Sequence, residues 1–182
     1  MSILAISTIG HGSSIAIVDY DGNCFVEHNS ASNNHAESFF QILDTLFSKH
    51  NYNYDKIDHL AVVVGPGSFT GIRVVIAAAK GISLATNKPL YGVSALEVQA
   101  YAMSLLCEDN RGNIRATVEN ATQLFDCNLL PLSEPEVIDK GITQTLNAGH
   151  AGLLVRHRLM HKQELSKAKA LYLNEPEYIR SP

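Results

Sequence analysis

The chain contains no tryptophan, only three cysteines in 182 residues, and few aromatic residues, which make up 7% of the sequence. Cys24, Cys107 and Cys127 are odd in number and widely spaced, so they form no metal-binding or redox pair. This usage is typical of a reducing compartment. A net charge of −4 leaves no excess of lysine and arginine to neutralise phosphates. It therefore argues against independent, tight binding of nucleic acid.

Long hydrophobic runs are absent as well. No apolar run approaches the length that spans a membrane. Residues 1–6 have no basic leader and are followed at once by polar residues, unlike a signal peptide. With 46% hydrophobic and 18% charged residues, the composition is that of a soluble globular protein. We expect a cytoplasmic protein with one domain or one and a half.

The most informative stretch joins a short apolar run to a long apolar segment through a glycine-rich turn. Residues 60–64 are rich in β-branched residues, as in a strand buried on both faces. Residues 72–85 are long enough for a helix and apolar on nearly every side. The turn between them consists of Gly65, Pro66, Gly67, Ser68, Phe69, Thr70 and Gly71. Ser68 and Thr70 are candidate N-caps of the helix. Together these features predict an α/β sheet protein.

The turn fails to match the motifs that bind phosphate or carry a nucleophile. A phosphate-binding loop requires a lysine after its last glycine, whereas Ile72 and Arg73 follow Gly71. The dinucleotide fingerprint fails because the third glycine comes one residue too late. Ser68 also lacks the flanking glycines of a nucleophile elbow. We interpret the turn as structural, allowing close packing of helix on sheet, with phosphate binding as the less favoured alternative.

Periodicity and turn signals predict a mixed five-stranded sheet with flanking helices over residues 1–107. The first three strands are expected to be antiparallel because Asp21-Gly22 is a strong hairpin signal. The expected strands are 3–7, 14–18, 24–27, 60–64 and 90–93, and the expected helices are 35–50, 72–85 and 95–106. A polar linker then leads into a reduced second α+β domain, residues 108–182, whose region 147–169 is expected to be mainly helical.

The first two predicted helices carry more apolar surface than contact with one sheet requires. Phe39, Leu43 and Leu46 form one apolar row on the first helix. The second helix contains residues 77–79, all alanine, and Gly81, which let another helix approach closely. This surplus favours a partner protein. The alternative, that the two helices cover only each other and the sheet, fits the periodicity equally well.

No residue pattern indicates a catalytic or metal site. A nuclease on such a sheet would need an acid in the first strand, where Ser7 stands. His157 and His161 share a helix face, but Arg158 occupies the place of a zinc protease's glutamate, so ordinary surface histidines are expected. The carboxyl-terminal region is the most basic part of the chain and is expected to be a solvated helix face, with contact to RNA or an acidic partner as the alternative.

Four blocks of sequence, in this order, resemble the TsaB family, which is also called YeaZ. They are residues 3–8, 35–37, 65–73 and 92–97. The third block is similar to the family hallmark nearly residue for residue, and the resemblance extends from Ile3 to about Leu106. It implies the actin/hexokinase-like fold, a ribonuclease H-like architecture, with a reduced second domain. It also implies that residues 65–71 and Arg73 form a structural loop.

The resemblance implies a noncatalytic accessory subunit in the synthesis of tRNA threonylcarbamoyladenosine. Such a subunit binds the catalytic subunit TsaD, which modifies the tRNA adenosine next to the anticodon, and the ATPase TsaE acts in the same complex. ATP and a divalent metal are expected on the partner subunits, with no cofactor on this chain, and tRNA is expected to be reached only through the complex. A homodimer through the same helices is also possible. The expected partner surface comprises Phe39, Leu43, Leu46, Val75, Ala78 and Ala79.

Two alternative functions stay open at this point. One is a weak ATPase or phosphotransferase of the actin-hexokinase superfamily. Ser7 opposes it, because family members usually have an aspartate at this position, and so does the reduced second domain. The other is a peptidase of the glycoprotease-like group. It is opposed by the lack of a recognisable nucleophile-base-acid spacing or zinc motif.

Overall fold

The computed structural model describes residues 1–9, 12–29, 35–106, 112–139 and 146–172, and within residues 35–38 it describes the backbone only. Cys107 and most of the predicted linker lie outside these ranges. The described strands are β1 (Ile3–Ser7), β2 (Ser13–Val18), β3 (Cys24–Asn29), β4 (His59–Val63), β5 (Leu90–Val93), β6 (Ile114–Val118), β7 (Ala121–Phe125), β8 (Glu136–Val137) and β9 (Ser166–Lys167). The described α-helices are α1 (His35–His50), α2 (Phe69–Thr86), α3 (Ala95–Ser104) and α4 (Ala148–Met160).

The main sheet has the strand order β3-β2-β1-β4-β5-β9. Strands β1, β2 and β3 pair antiparallel, whereas β1, β4 and β5 run parallel. The five predicted strands and their mixed arrangement are therefore confirmed. The predicted strand number was too small, because β9 adds a sixth strand, antiparallel to β5. A two-residue strand has no hydrophobic alternation, so the sequence carries no signal for it.

Two hydrophobic clusters lie on opposite sides of the main sheet. Alternate residues of each central strand point to opposite sides, so Leu4 joins one cluster and Ala5 the other. Helices α1 and α2 cover the side that contains Leu4 and Ile6. Helices α3 and α4 contribute to the cluster on the other side. Because both faces are covered, β1 and β2 are buried along their whole length.

The carboxyl-terminal part of the chain shares its core with the amino-terminal part. Strands β6, β7 and β8 form a separate three-stranded sheet. Phe125 of that sheet and Leu154 of α4 nevertheless belong to the same cluster as Ala5 and Ala61. Helix α4 packs closely on the main sheet at Gly152, where an added Cβ would lie 2.7 Å from Val18 Cγ2. The proposed boundary between residues 107 and 108 therefore does not coincide with a break in the core.

The helix starts follow local capping signals. Ser94 and Glu97 form a reciprocal capping box at the start of α3. Helix α2 begins three residues before the predicted start because Ser68 is its N-cap. The prediction that residues 147–169 are mainly helical was too long, since α4 ends at Met160. Beyond that helix the chain becomes extended and returns to the edge of the main sheet as β9.

Candidate partner-binding face

The glycine-rich turn positions the start of α2 against the end of β1. Ser68 Oγ accepts a hydrogen bond from Gly71 N at 3.4 Å, which confirms Ser68 as the N-cap, whereas Thr70 lies inside the first helical turn. A Cβ added to Gly71 would lie 3.1 Å from Thr8 Oγ1. At the other end of the turn, Gly65 has φ of +116° and accepts a hydrogen bond at its carbonyl from the first residue of α3. The turn therefore holds β1, α2 and α3 in fixed positions.

The carboxyl-terminal segment, residues 166–172, lies over the same turn. Leu171 N donates a hydrogen bond to Val64 O at 2.8 Å. A Cβ added to Gly65 would lie 2.5 Å from Leu171 O, and one added to Gly92 would lie 2.9 Å from Lys167 O. Two positions without side chains thus admit the backbone of this segment. The same segment also contacts α2, through a hydrogen bond between Tyr172 and Arg73 that no local sequence pattern predicts.

Arg73 of α2 lies against two neighbouring aromatic rings. Its guanidinium carbon lies 3.7 Å from the centroid of the Phe69 ring and 5.8 Å from that of Tyr172. Arg73 Nε donates a hydrogen bond to the Tyr172 hydroxyl at 3.1 Å, and the two ring centroids are 5.0 Å apart. Arg73 was expected to belong to the structural loop. Its backbone lies in the second turn of α2, and its exposed side chain connects that helix to the carboxyl-terminal segment.

Five of the six residues expected to touch a partner lie in the core of this chain. Phe39, Leu43, Leu46, Val75 and Ala79 are buried in the cluster between the main sheet and helices α1 and α2. These five residues are at most 1% exposed and so present almost no surface to a partner in this structure; their contact with a partner stays a prediction. Ala78 is half-buried and packs against the edge of the same cluster. Whether a partner binds these helices stays a prediction.

Another stripe of α2 is exposed. It is formed by residues at helical spacing on the side away from the sheet, and we call it the outer face: Arg73, Ala77, Lys80, Gly81 and Leu84. Leu84 is 87% exposed. A Cβ added to Gly81 would meet nothing within 4 Å, so another backbone can approach closely there. On α1, Phe40 is 56% exposed and contacts Phe39 edge to face.

By length and composition alone, α2 is apolar enough to cross a membrane. Its inner side, however, packs on β1 and β4 as a core helix does. The charged residues on α2 are Arg73 and Lys80, both exposed. On α1, Asp44 is exposed, and its negative charge adds to the effect of burial in raising the pKa of Tyr54. Helix α1 therefore carries an exposed acidic side chain, and the outer face of α2 carries two exposed cations.

The end of β1 carries hydroxyl groups. Ser7 Oγ accepts a hydrogen bond from Ile9 N at 3.2 Å and is buried. Thr8 Oγ1 is buried against Gly71 and has no hydrogen-bond partner among the described residues. Over the part of the chain that the structure describes, no group of three His, Cys, Asp or Glu side chains is placed to hold a metal ion. The end of β1 itself therefore carries neutral hydroxyl groups.

A cavity of about 520 Å³ lies at the carboxyl ends of β4 and β5, beneath the carboxyl-terminal segment. Among the described residues that line it, the acidic side chain is Glu97, and each of its two carboxylate oxygens has a partner within the chain. Glu97 Oε2 accepts a hydrogen bond from Ser94 N at 2.6 Å, and Oε1 lies 2.7 Å from Nη1 of the buried Arg158. Arg158 was expected on a solvated basic face, so that expectation was wrong for this residue. The pair joins α3 to α4.

The two histidines at the end of α4 stack on each other with ring centroids 4.2 Å apart. His157 also contacts Tyr101 and is half-buried rather than a surface residue. Burial lowers the pKa of His157, and the neighbouring His161 and Arg158 lower it further. The neutral imidazole form of His157 is therefore favoured.

The described architecture is an actin/hexokinase-like, ribonuclease H-like fold. Residues 26–112 match the family described as "TsaD: tRNA N6-adenosine threonylcarbamoyltransferase". The solved structure titled "YeaZ from Pseudomonas aeruginosa" superposes with a TM-score of 0.75 at 16% identity, covering 94% of this chain and 99% of that one.

Two curated proteins with related names are similar to part of the chain. The tRNA threonylcarbamoyladenosine biosynthesis protein TsaB of Escherichia coli is 32% identical over 100 residues, 55% of this chain and 43% of that protein. The tRNA N6-adenosine threonylcarbamoyltransferase of Solidesulfovibrio magneticus is 39% identical over 75 residues, 41% of this chain and 20% of that protein. The matched region is thus less than half the length of these relatives. The chain is similar in sequence to TsaB proteins over about half of its length, and it shares the fold of YeaZ over nearly all of it.

Proposed function

We propose that this protein is an accessory subunit in the synthesis of tRNA threonylcarbamoyladenosine, and that it binds a TsaD-type catalytic subunit through α1 and α2. Similarity to the TsaB proteins of Escherichia coli and Haemophilus influenzae supports the process, because those curated proteins are named for that biosynthesis. The match of residues 26–112 to the TsaD family supports the partner, because related folds often associate through equivalent surfaces.

The outer face of α2 is the observation that carries this proposal. Ala77 and Gly81 leave a shallow surface between Arg73 and Leu84, which allows a second helix to pack closely along α2. Leu84 stands exposed in this surface, and Phe40 is an exposed aromatic residue of the neighbouring helix α1. Large exposed apolar side chains next to small ones are typical of a protein interface. A partner helix that covers them would remove that apolar area from water.

In this proposal the chain supplies a surface, and the chemistry belongs to its partners. The neutral Ser7 at the end of β1 provides no carboxylate for a metal-nucleotide complex. ATP and a divalent metal would accordingly be held by the TsaD- and TsaE-type subunits, and tRNA would be contacted through the complex. The proposal places the protein in the cytoplasm, where tRNA is modified.

Co-purification with the TsaD-type subunit of the same organism tests the proposal. Leu84→Asp places a charge in the outer face and is expected to abolish the complex, because a desolvated charge without a partner is strongly unfavourable. Leu132→Asp is the matched control, since Leu132 is 52% exposed and lies on the segment between β7 and β8. The control variant is expected to bind like the wild type.

Light scattering of the isolated chain separates a heterodimer from self-association. A wild-type homodimer that Leu84→Asp converts to a monomer would show that the outer face also joins two copies. Failure of the wild-type protein to bind the TsaD-type subunit would contradict the proposed function. Equal binding by both aspartate variants would leave a partner in place but exclude the outer face as its site.

A further inference from the structure

Arg73 has the geometry of a preformed recognition group. Stacking on Phe69 and the hydrogen bond from Nε to Tyr172 fix the plane of the guanidinium. These contacts involve the Nε atom and one face of the guanidinium. Among the described residues Arg73 forms no ion pair, although the group is exposed. A guanidinium held in this way loses little conformational freedom when it binds a planar anion.

The surroundings of Arg73 favour a carboxylate as that anion. Helix α2 contains no aspartate or glutamate over its 18 residues. Lys80 follows Arg73 by seven residues on the same stripe, which places the two cations about 10 Å apart along the helix. The positive end of the α2 dipole also lies on the Arg73 side, so the arginine stands where a helix favours negative charge. The outer face is therefore complementary to acidic side chains on a facing element.

We propose that Arg73 is the charged anchor of the outer face and that it binds a carboxylate of the partner subunit. The inference rests on the proposed function and names the chemistry of its partner. An acidic helix alongside α2 meets Arg73 at one end of the face and Lys80 two turns further on. Ala77 lies between them and leaves room for its backbone.

Phe69 and Tyr172 are positioning residues in this arrangement. Phe69 belongs to the first turn of α2, one helical turn before Arg73. Tyr172 comes from the carboxyl-terminal segment, which Leu171 ties to the main sheet through Val64. The segment thus couples the edge of the main sheet to the orientation of Arg73. Loss of the Tyr172 hydroxyl frees Nε, and loss of the ring frees the whole side chain to adopt other rotamers.

The test measures the dissociation constant of the complex with the TsaD-type subunit at several salt concentrations. Arg73→Gln is expected to weaken binding roughly ten- to hundredfold, as the loss of an interface anchor does. Arg73→Lys keeps the charge but not the planar fork, so an intermediate loss is expected. Arg115→Gln, at an exposed arginine of β6, is the matched control and is expected to change the dissociation constant by less than about twofold.

Salt separates an ionic anchor from a structural role. Wild-type binding is expected to weaken as sodium chloride rises from about 50 to about 500 mM, and Arg73→Gln is expected to flatten this dependence. Tyr172→Phe removes one hydrogen bond and is expected to weaken binding roughly two- to tenfold. Tyr172→Ala also removes the ring and is expected to weaken binding further.

The outcomes distinguish this inference from the proposed function. Tight wild-type binding with unchanged affinity for Arg73→Gln overturns the anchor and leaves the proposed function standing. A loss of affinity in Arg73→Gln with an unchanged salt dependence also overturns it, because the loss is then structural. Failure of the wild type to bind overturns both. A loss accompanied by a flatter salt dependence, with Arg115→Gln unaffected, supports the anchor.

Discussion

The buried ion pair between α3 and α4 gives a quantitative test of what holds the two parts of the chain together. Arg158 is 5% exposed, and its Nη1 lies 2.7 Å from Glu97 Oε1. Glu97→Gln keeps the shape of the side chain and removes its charge. The buried guanidinium is then left without an ionic partner, while the amide oxygen of the new residue can still accept the hydrogen bond from Ser94 N.

The expected loss follows from the burial of the two groups. Removing one partner of a fully buried pair destabilises a protein by about 3–5 kcal/mol, because the other charge is left uncompensated. The Glu97 side chain is 22% exposed, which lets water screen part of the site. We therefore expect a loss of about 3 kcal/mol in the free energy of unfolding. In a chain of this size that loss lowers Tm by about 6–12 °C.

Urea denaturation measures the free energy of unfolding of Glu97→Gln and of a control variant, each compared with the wild type. Glu27→Gln is the matched control, because Glu27 pairs with the exposed Lys49 on the surface. An exposed pair contributes about 0–1 kcal/mol. The double variant Glu97→Gln/Arg158→Met, which removes both charges, is expected to recover much of the loss. Equal destabilisation by Glu97→Gln and Glu27→Gln would refute the reasoning.

Two further predictions concern glycine packing and pH. Gly71→Ala is expected to destabilise the fold by about 1–3 kcal/mol, because its Cβ would lie 3.1 Å from Thr8 Oγ1. Gly81→Ala, with nothing within 4 Å, is expected to stabilise it by about 0.5–1 kcal/mol, and the reverse order in thermal melts would contradict this packing. Burial lowers the pKa of His157 below 6.5, so the unfolded state binds more protons and stability should fall as pH drops below that value. Urea titrations at pH 7 and pH 5 should show a smaller fall for His157→Gln.

Local sequence patterns predicted much of the fold. Helix α1 has the predicted bounds, and β1 and β5 do also. The capping box of Ser94 and Glu97 is a local signal for the start of α3, because its two hydrogen bonds join residues three apart in sequence. Such signals depend on neighbouring residues alone. The short strand β9 gave no such signal, since its pairing with β5 depends on distant residues.

The sequence does not predict which side of α2 faces the sheet, because two rows of small or apolar residues run along this helix. Val75 and Ala79 are one turn apart and face the core, whereas Ala77 and Gly81 are also one turn apart and face solvent. Hydrophobic periodicity detects both rows. It does not show which row is buried when alanine and glycine occupy the solvent-facing row. The contact of Arg73 with Tyr172 spans 99 residues of chain. No local pattern predicts a contact of that separation.

The two sides of the main sheet differ in how completely their helices are covered. Helix α3 buries six of its 10 residues and α4 buries seven of its 13, because these helices, the main sheet and the small sheet share one core. Helix α2 is strongly apolar, yet it buries only six of its 18 residues. Among the described residues, α3 and α4 are thus largely covered by the rest of the chain, whereas the outer face of α2 is left exposed. This asymmetry, rather than apolar composition alone, is the physical reason to place a partner on α2.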